Sequence, residues 1–97
     1  GLAMEIPEGW RGDIYSRSGL ASKGVVVANS PGKIDSDYRG EIKVILHNNR
    51  ATGMVGIEAG DRIAQFEVAP VYTLEFEEIE CLTESDRGGK GLGSTGK

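Results

Sequence analysis

The sequence predicts a small all-β domain, a barrel or sandwich, followed by a flexible glycine-rich arm. Short apolar stretches recur between turn signals, a spacing typical of all-β domains. Glycine occupies 15 of the 97 positions, about twice the usual 7%, so many backbone positions are set aside for turns or close approach to a ligand. With one Trp and two Phe, we expect a single domain with a modest core that partners complete.

Seven stretches are the candidate strands, and turn residues separate them. In chain order they are Leu2–Ile6, Gly12–Ser16, Val25–Ala28, Glu41–Leu46, Met54–Ile57, Arg62–Val68 and Val71–Ile79. Apolar and polar residues alternate over Glu41–Val44 and Tyr72–Glu77, which predicts half-buried strands. Only Ser18–Lys23 has the composition of a helical turn, with Ser18 placed to cap it.

From Glu84 onward the chain has no apolar periodicity, and Asp86–Lys97 is too rich in glycine to pack a core. We therefore expect two parts, a β domain over residues 1–83 and a flexible C-terminal arm over residues 84–97. Composition alone does not distinguish a functional arm from a plain disordered tail and favours the two equally.

Charge and cysteine content limit the classes of partner. The formal charge is −4 and no Lys/Arg stripe is present, which argues against nucleic acid, although scattered cations suit a small polyphosphate. A single cysteine, Cys81, excludes an intrachain disulfide and favours a reducing compartment. No apolar run approaches the ~18 residues of a membrane span, and no secretory signal opens the chain. We expect a cytoplasmic protein without a membrane partner, with nuclear or virus-encoded origin as open alternatives.

The segment from Asn29 to Glu41 contains a turn, two carboxylates and a phenol between predicted strands. One interpretation makes Asp35 and Asp37 turn residues and Tyr38 a rim aromatic. The other makes one Asp a general base, because an ionised carboxylate can orient and deprotonate a water. His47 is interpreted as a surface residue. Cys81 is interpreted as a packing residue that is buried or lies at the edge of a strand.

Four segments resemble, in order, motifs of the trimeric dUTPase family. Ile34–Gly40 resembles the central motif, Arg17–Ala21 the second, Gly60–Gln65 the fourth and Arg87–Gly96 the fifth. The resemblance covers essentially the whole chain and implies a jelly-roll β fold (a β-clip). It also implies a dUTP diphosphatase, which hydrolyses dUTP to dUMP and pyrophosphate. Nothing like the family's first motif, Ala-Gly-x-Asp-Leu, is present, so we expect an N-terminally truncated domain.

The resemblance implies a role for each residue around the central motif. Asp35 would activate water for attack on the α-phosphorus, and Tyr38 would lie beneath the deoxyribose, where it excludes ribonucleotides by volume. The strand-turn-strand that includes Gly32 and Ile34 would hold uracil through backbone groups, with Asn29 as the matching amide. The alternative for Asn29 is a turn residue.

The remaining motifs would hold the phosphates. Arg17, Ser18 and Gly19 would contact them from the second motif, and Gln65 would help hold phosphate and the attacking water. The alternatives are simple N-capping by Ser18 and an exposed strand position for Gln65.

In the resemblance, the arm would close over the nucleotide. Its contacts would come from Arg87 on the γ-phosphate and from Leu92, Gly93, Ser94 and Thr95. The family usually has an aromatic residue where this chain has Leu92, so only apolar cover would remain. Gly91–Lys97 also fits most of a phosphate-loop pattern, but it lacks the final Ser/Thr and a preceding buried strand.

The resemblance further implies Mg²⁺, carried by the triphosphate without a direct protein ligand, and a homotrimer with shared active sites. Two other functions stay open. One is a module that binds deoxyuridine nucleotides without turnover, and the other is an enzyme related to dCTP deaminases. The central motif and the complete glycine-rich tail favour the dUTPase branch over the deaminases.

Overall fold

A computed structural model describes residues 1–93 and Gly96. Its elements are β1 (Trp10–Tyr15), α1 (Ser18–Ser22), β2 (Val25–Val27), β3 (Gly32–Ile34), β4 (Leu46–Asn48) and β5 (Gln65–Pro70). The first sheet is antiparallel with the order β3-β1-β5, and β2 pairs with β4 in a second antiparallel sheet. The prediction of an all-β fold with one short helix is confirmed. No described helix has the length and hydrophobicity of a membrane-spanning segment.

Strand β1 is the centre of the larger sheet. It pairs with β5 along its whole length, from Trp10↔Pro70 to Tyr15↔Gln65, and with β3 from Gly12↔Ile34 to Ile14↔Gly32. Gly12 makes this packing possible, because a methyl group there would collide with the Phe66 ring. The absence of a side chain in the middle of β1 therefore lets an aromatic ring of β5 lie across it.

The buried apolar core is small. It consists of Ile6, Ile14, Val25 and Val27. The radius of gyration is 19.0 Å, and the extents are 55 × 40 × 16 Å. A compact domain of this size has a radius of gyration of about 13 Å. The chain is therefore a thin plate, and many large apolar side chains, among them Tyr72, Leu74 and Phe76, remain exposed.

A single buried carboxylate joins the strands of the larger sheet. Asp13 in β1 is only 1% exposed. It accepts hydrogen bonds from Arg11 Nε at 3.1 Å, Lys33 Nζ at 3.0 Å and the Tyr15 hydroxyl at 3.3 Å. Arg11 also donates to the carbonyl of Pro70 in β5 at 2.8 Å. The hydrogen bond from Lys33, together with Arg11, holds the pKa of Asp13 below its ordinary value of 3.8.

The helix begins differently from the expectation. Ser18 is its first residue rather than its cap, and Arg17 occupies the N-cap position without a side-chain hydrogen bond. The prediction of N-capping by Ser18 is wrong, because Ser18 already lies inside the helix and Arg17, with an extended backbone, is the residue before it. Ser16 links the chain between β1 and the helix to β2, because its Oγ accepts a hydrogen bond from Val27 N at 2.9 Å.

Several predicted strands are absent from the described chain. Glu41–Val44 alternates in burial as expected, but its backbone contact is a single bond from Ile42 N to Leu2 O at 2.8 Å. Tyr72–Glu77 is exposed throughout, and Phe76 is 98% exposed. A period-two pattern forms a half-buried strand only where a partner strand lies beside it. Leu2–Ile6 and Met54–Ile57 lack ladder partners for the same reason.

Replacing Ile14 with Ala should lower the free energy of unfolding by about 2–5 kcal/mol, because the side chain is 4% exposed and the small core cannot refill the space. Ile45→Ala is the matched control, since Ile45 is 56% exposed, and it should change stability by less than about 0.5 kcal/mol. Urea unfolding of both variants measures the difference. Equal losses would contradict the assigned core.

The Asp13 ion cluster should make stability depend on acid pH. Since the folded-state pKa is lowered, the stabilisation is fully present above 3.8 and is lost as pH falls through the lowered pKa. Asp13→Asn should therefore be less stable than the wild type at neutral pH, and the difference should shrink towards about pH 3. Urea midpoints across this range test the expectation, with the exposed Asp86→Asn as control. A difference independent of pH would refute it.

Candidate functional site

The segment from β2 through a turn to β3, which passes from the smaller sheet to the larger one, carries the first predicted site residues. Ser30 N donates to Val27 O at 3.3 Å and closes the turn. Gly32 is buried, and a methyl group on it would lie 3.2 Å from Asn29 Nδ2 and 3.4 Å from Ile14 Cβ. The Asn29 amide therefore lies directly against the Gly32 backbone. The structure brings these two predicted residues together.

Asp35 follows directly after Ile34, the last residue of β3. Its side chain is exposed, and within the described residues its carboxylate accepts no hydrogen bond. The following turn is closed by the backbone instead, with Tyr38 N donating to Asp35 O at 3.1 Å. Neither Asp35 nor Asp37 forms the side-chain bond of an Asx turn there, so the Asp35 carboxylate is left available to a ligand.

The Tyr38 ring is held by the loop that follows β3. Its hydroxyl donates to Glu41 O at 2.8 Å. Arg39 Nη1 donates to Ser36 O at 2.7 Å and to Tyr38 O at 3.2 Å. These bonds all lie within one seven-residue loop, from Asp35 to Glu41, and keep the phenol near the Asp35 turn.

Asp35 lines a cleft of about 360 Å³ that also contains a residue missed by the sequence analysis. Its walls include Glu8, Trp10, Arg11, Asp35, Ser36 and Thr73. Arg11 is half-buried there, and its guanidinium is already bonded to Asp13 and to Pro70. An arginine early in a strand carries no sequence signal of its own, because only the pairing of β1 with β3 brings it near Asp35.

The second and fourth motifs meet at the other end of β1. Gln65, opposite Tyr15 in the ladder, donates from Nε2 to Ser16 O at 2.8 Å. Arg17 and Ser18 follow immediately at the start of α1, where first-turn N–H groups have no intrahelical acceptor. Gln65 is thus exposed, as the alternative interpretation holds, and is also fixed beside the second motif.

Comparisons with known proteins identify the family of this chain. A family model described as dUTPase matches residues 1–96. The deoxyuridine 5'-triphosphate nucleotidohydrolase of Anaplasma marginale is 52% identical over 97 residues, and that of Wolinella succinogenes is 54% identical over 98 residues. The chain belongs to the dUTPase family. The match takes in 99% and 100% of this chain, respectively, and the chain spans 65% of the length of each relative.

Solved structures of dUTPases share the fold. A Staphylococcus bacteriophage 80alpha dUTPase, solved with dUPNHPP, has a TM-score of 0.75 and 32% sequence identity. The alignment covers 98% of this chain and 72% of the phage chain. The expected jelly-roll β fold of the dUTPases is confirmed by this similarity.

The fifth dUTPase motif folds back on itself. Arg87 donates from Nε to Lys90 O at 2.6 Å and from Nη2 to Gly91 O at 3.3 Å. Leu92 is fully exposed, so it covers no part of the β2–turn–β3 segment in this structure. Gly93 has a positive φ of 78°, which favours glycine at that turn. Ser94 and Thr95 lie outside the described residues.

The remaining candidate groups are simple. Among residues 1–93 and 96, no group of three or more His, Cys, Asp or Glu side chains is arranged to hold a metal ion. His47 is exposed on β4, as predicted. Cys81 is exposed rather than buried, because the segment around it lies against no strand of this chain. Burial of Cys81 was therefore the wrong expectation.

Proposed function

We propose that this dUTPase-family chain hydrolyses dUTP to dUMP and pyrophosphate, with Asp35 as the base. The observation that carries the proposal is the free, exposed carboxylate of Asp35 at the end of β3. It follows the β2–turn–β3 segment, in which Asn29 and Gly32 lie in contact. The segment proposed to recognise uracil and the proposed general base, Asp35, are thereby joined by a few residues of strand.

Uracil recognition would use the free edge of β3. This strand is at the edge of the sheet β3-β1-β5, so only one of its edges is paired by β1. Backbone groups along the Gly32–Ile34 strand that β1 leaves unpaired are available to the nucleobase, and the Asn29 amide adds a donor and an acceptor. A base with the wrong donor pattern would leave buried groups unpaired, at about 1–3 kcal/mol each.

The Asp35 carboxylate would take a proton from water as the water oxygen attacks the α-phosphorus in line. A new oxygen–phosphorus bond forms, and the bond from the α-phosphorus to the oxygen bridging to the β-phosphate breaks. Pyrophosphate leaves with that oxygen. Tyr38 would pack under the sugar and reject a 2′-hydroxyl by volume.

The phosphates would be held from two directions. Arg17, Ser18 and Gly19 would contact them, with Gln65 kept beside these residues by its bond to Ser16 O. The arm would close over them through Arg87, whose bonds to Lys90 O and Gly91 O would exchange for bonds to phosphate. Gly93, Ser94 and Thr95 would add phosphate contacts, and Leu92 would add apolar cover.

Mg²⁺ would arrive with the triphosphate. This ion keeps several waters and usually binds through substrate phosphates and one or two carboxylates, which fits a described chain without a cluster of ligands. A related dUTPase from phage phi11 of S. aureus, 28% identical with a TM-score of 0.64, coordinates a structural Mg(II) ion. When bound, the ion would neutralise phosphate charge.

In a homotrimer with shared active sites, the Asp35 region of one subunit and the phosphate-binding region of another would form one complete site. Asp35 follows β3 near the Arg11 end of β1, whereas Gln65 pairs with Tyr15 at the other end, so a shared site would draw these residues from two subunits. The exposed Tyr72, Leu74 and Phe76 form an apolar set along an extended segment that has no partner strand in the described chain. Burying such a set between copies would complete the core.

Asp35→Asn should lower the rate of pyrophosphate release from dUTP by at least about 100-fold, because the amide cannot accept the proton from water. The wild type with Mg²⁺ should turn over dUTP and not dCTP, dTTP or UTP. Asp37→Asn is the matched control, since it removes the same charge from the same exposed loop and should keep most of the turnover.

Three outcomes would contradict this assignment. Equal losses in both variants would point to loop charge rather than to Asp35. Tight dUTP binding without turnover by the wild type would indicate a binding module. Ammonia release from dCTP would indicate a deaminase.

Replacing Leu74 and Phe76 with Ser should dissociate the trimer, because it removes the apolar set of the extended segment. The paired control replaces Glu75 and Glu77, which alternate with that set, with Ser. Sedimentation equilibrium should give the mass of three chains for the wild type and the control, and a lower mass for the Leu74/Phe76 variant. A monomeric wild type would refute the trimer.

A further inference from the structure

The Tyr38 ring bends across Gly40. Its hydroxyl donates to the carbonyl of Glu41, three residues on, so the phenol spans the backbone of the two residues between them. A methyl group on Gly40 would lie 2.5 Å from Tyr38 Oη, 2.7 Å from Cζ and 3.0 Å from Cε1. Real contacts to a methyl carbon are not this short, so any side chain at Gly40 must move the ring.

Backbone conformation does not explain glycine at this position. Gly40 is not among the residues with a positive φ, so an alanine backbone would be unstrained there. The three heavy atoms nearest to such a methyl group all belong to the Tyr38 side chain. Gly40 is therefore required by space for Tyr38.

Little else holds the ring. Tyr38 is 42% exposed, so packing against the domain does not fix its side-chain torsions. Its hydrogen bond to Glu41 O and the open space above Gly40 define where the phenol lies. An alanine at Gly40 would displace the ring towards solvent at small cost to the fold, because an exposed tyrosine moves easily.

We propose that Gly40 is a positioning residue for substrate specificity, which acts by leaving room for the Tyr38 ring in the place where it rejects a ribose 2′-hydroxyl. This inference rests on the proposed dUTP hydrolysis. Gly40 itself touches no substrate. Its effect is transmitted entirely by the ring, whose displacement would open space beside carbon 2′ of the sugar.

The test compares kcat/KM for dUTP and UTP in the wild type, Gly40→Ala and Gly56→Ala. Gly56 is the matched control, since a methyl group there meets nothing within 4 Å and its φ is not positive. Gly40→Ala should lower the ratio of dUTP to UTP turnover by about 10-fold or more, with an unchanged Tm. Gly56→Ala should leave both the ratio and the Tm unchanged.

A double-mutant cycle shows whether Gly40 acts through Tyr38. In a Tyr38→Ala background, the further change Gly40→Ala should have no additional effect on the ratio. An additive effect of Gly40→Ala, or an unchanged ratio in that single variant while the wild type prefers dUTP, would overturn this inference alone. Absence of dUTP turnover by the wild type would overturn the proposed function and this inference with it.

Discussion

The buried carboxylate of Asp13 is the contact on which the larger sheet depends. It joins Lys33 of β3 to β1, and through Arg11 it is linked to the backbone of β5. A buried charge is tolerated only when it is paired and hydrogen-bonded, and here three donors satisfy it. With only four buried apolar side chains in the described chain, this polar cluster adds side-chain links to the backbone ladders that join the three strands.

The candidate site depends on that cluster because Lys33 lies two residues before Asp35. The pairing of β3 with β1 holds in place both the free strand edge proposed to bind the uracil and the Asp35 carboxylate that follows it. At three glycines, the absence of a side chain leaves room for a neighbouring group. Gly12 admits the Phe66 ring, Gly32 admits the Asn29 amide, and Gly40 admits Tyr38. Each glycine is required by a neighbouring side chain rather than by an unusual backbone angle.

The plate-like shape of the chain follows from its sparse core. An apolar groove of about 380 Å³, bordered by Ile14, Ile42, Val44, Ile63 and Phe66, lies open on one face, and the extended segment after β5 presents further apolar side chains. Exposed apolar surface on this scale is typical of a subunit rather than of an independent monomer.

The sequence by itself determined the all-β class, the short helix after β1, the order of the dUTPase motifs and the turn that precedes Asp35, because local turn chemistry and motif residues are contiguous. Tertiary structure alone decided which alternating segments became strands. Tyr72–Glu77 has the pattern of a strand but no neighbouring strand, and pairing depends on distant residues. Tertiary structure also decided the roles of Asp13, Arg11 and Gly40. An isolated aspartate, arginine or glycine carries no signal until the strand register and the Tyr38 ring supply its partner.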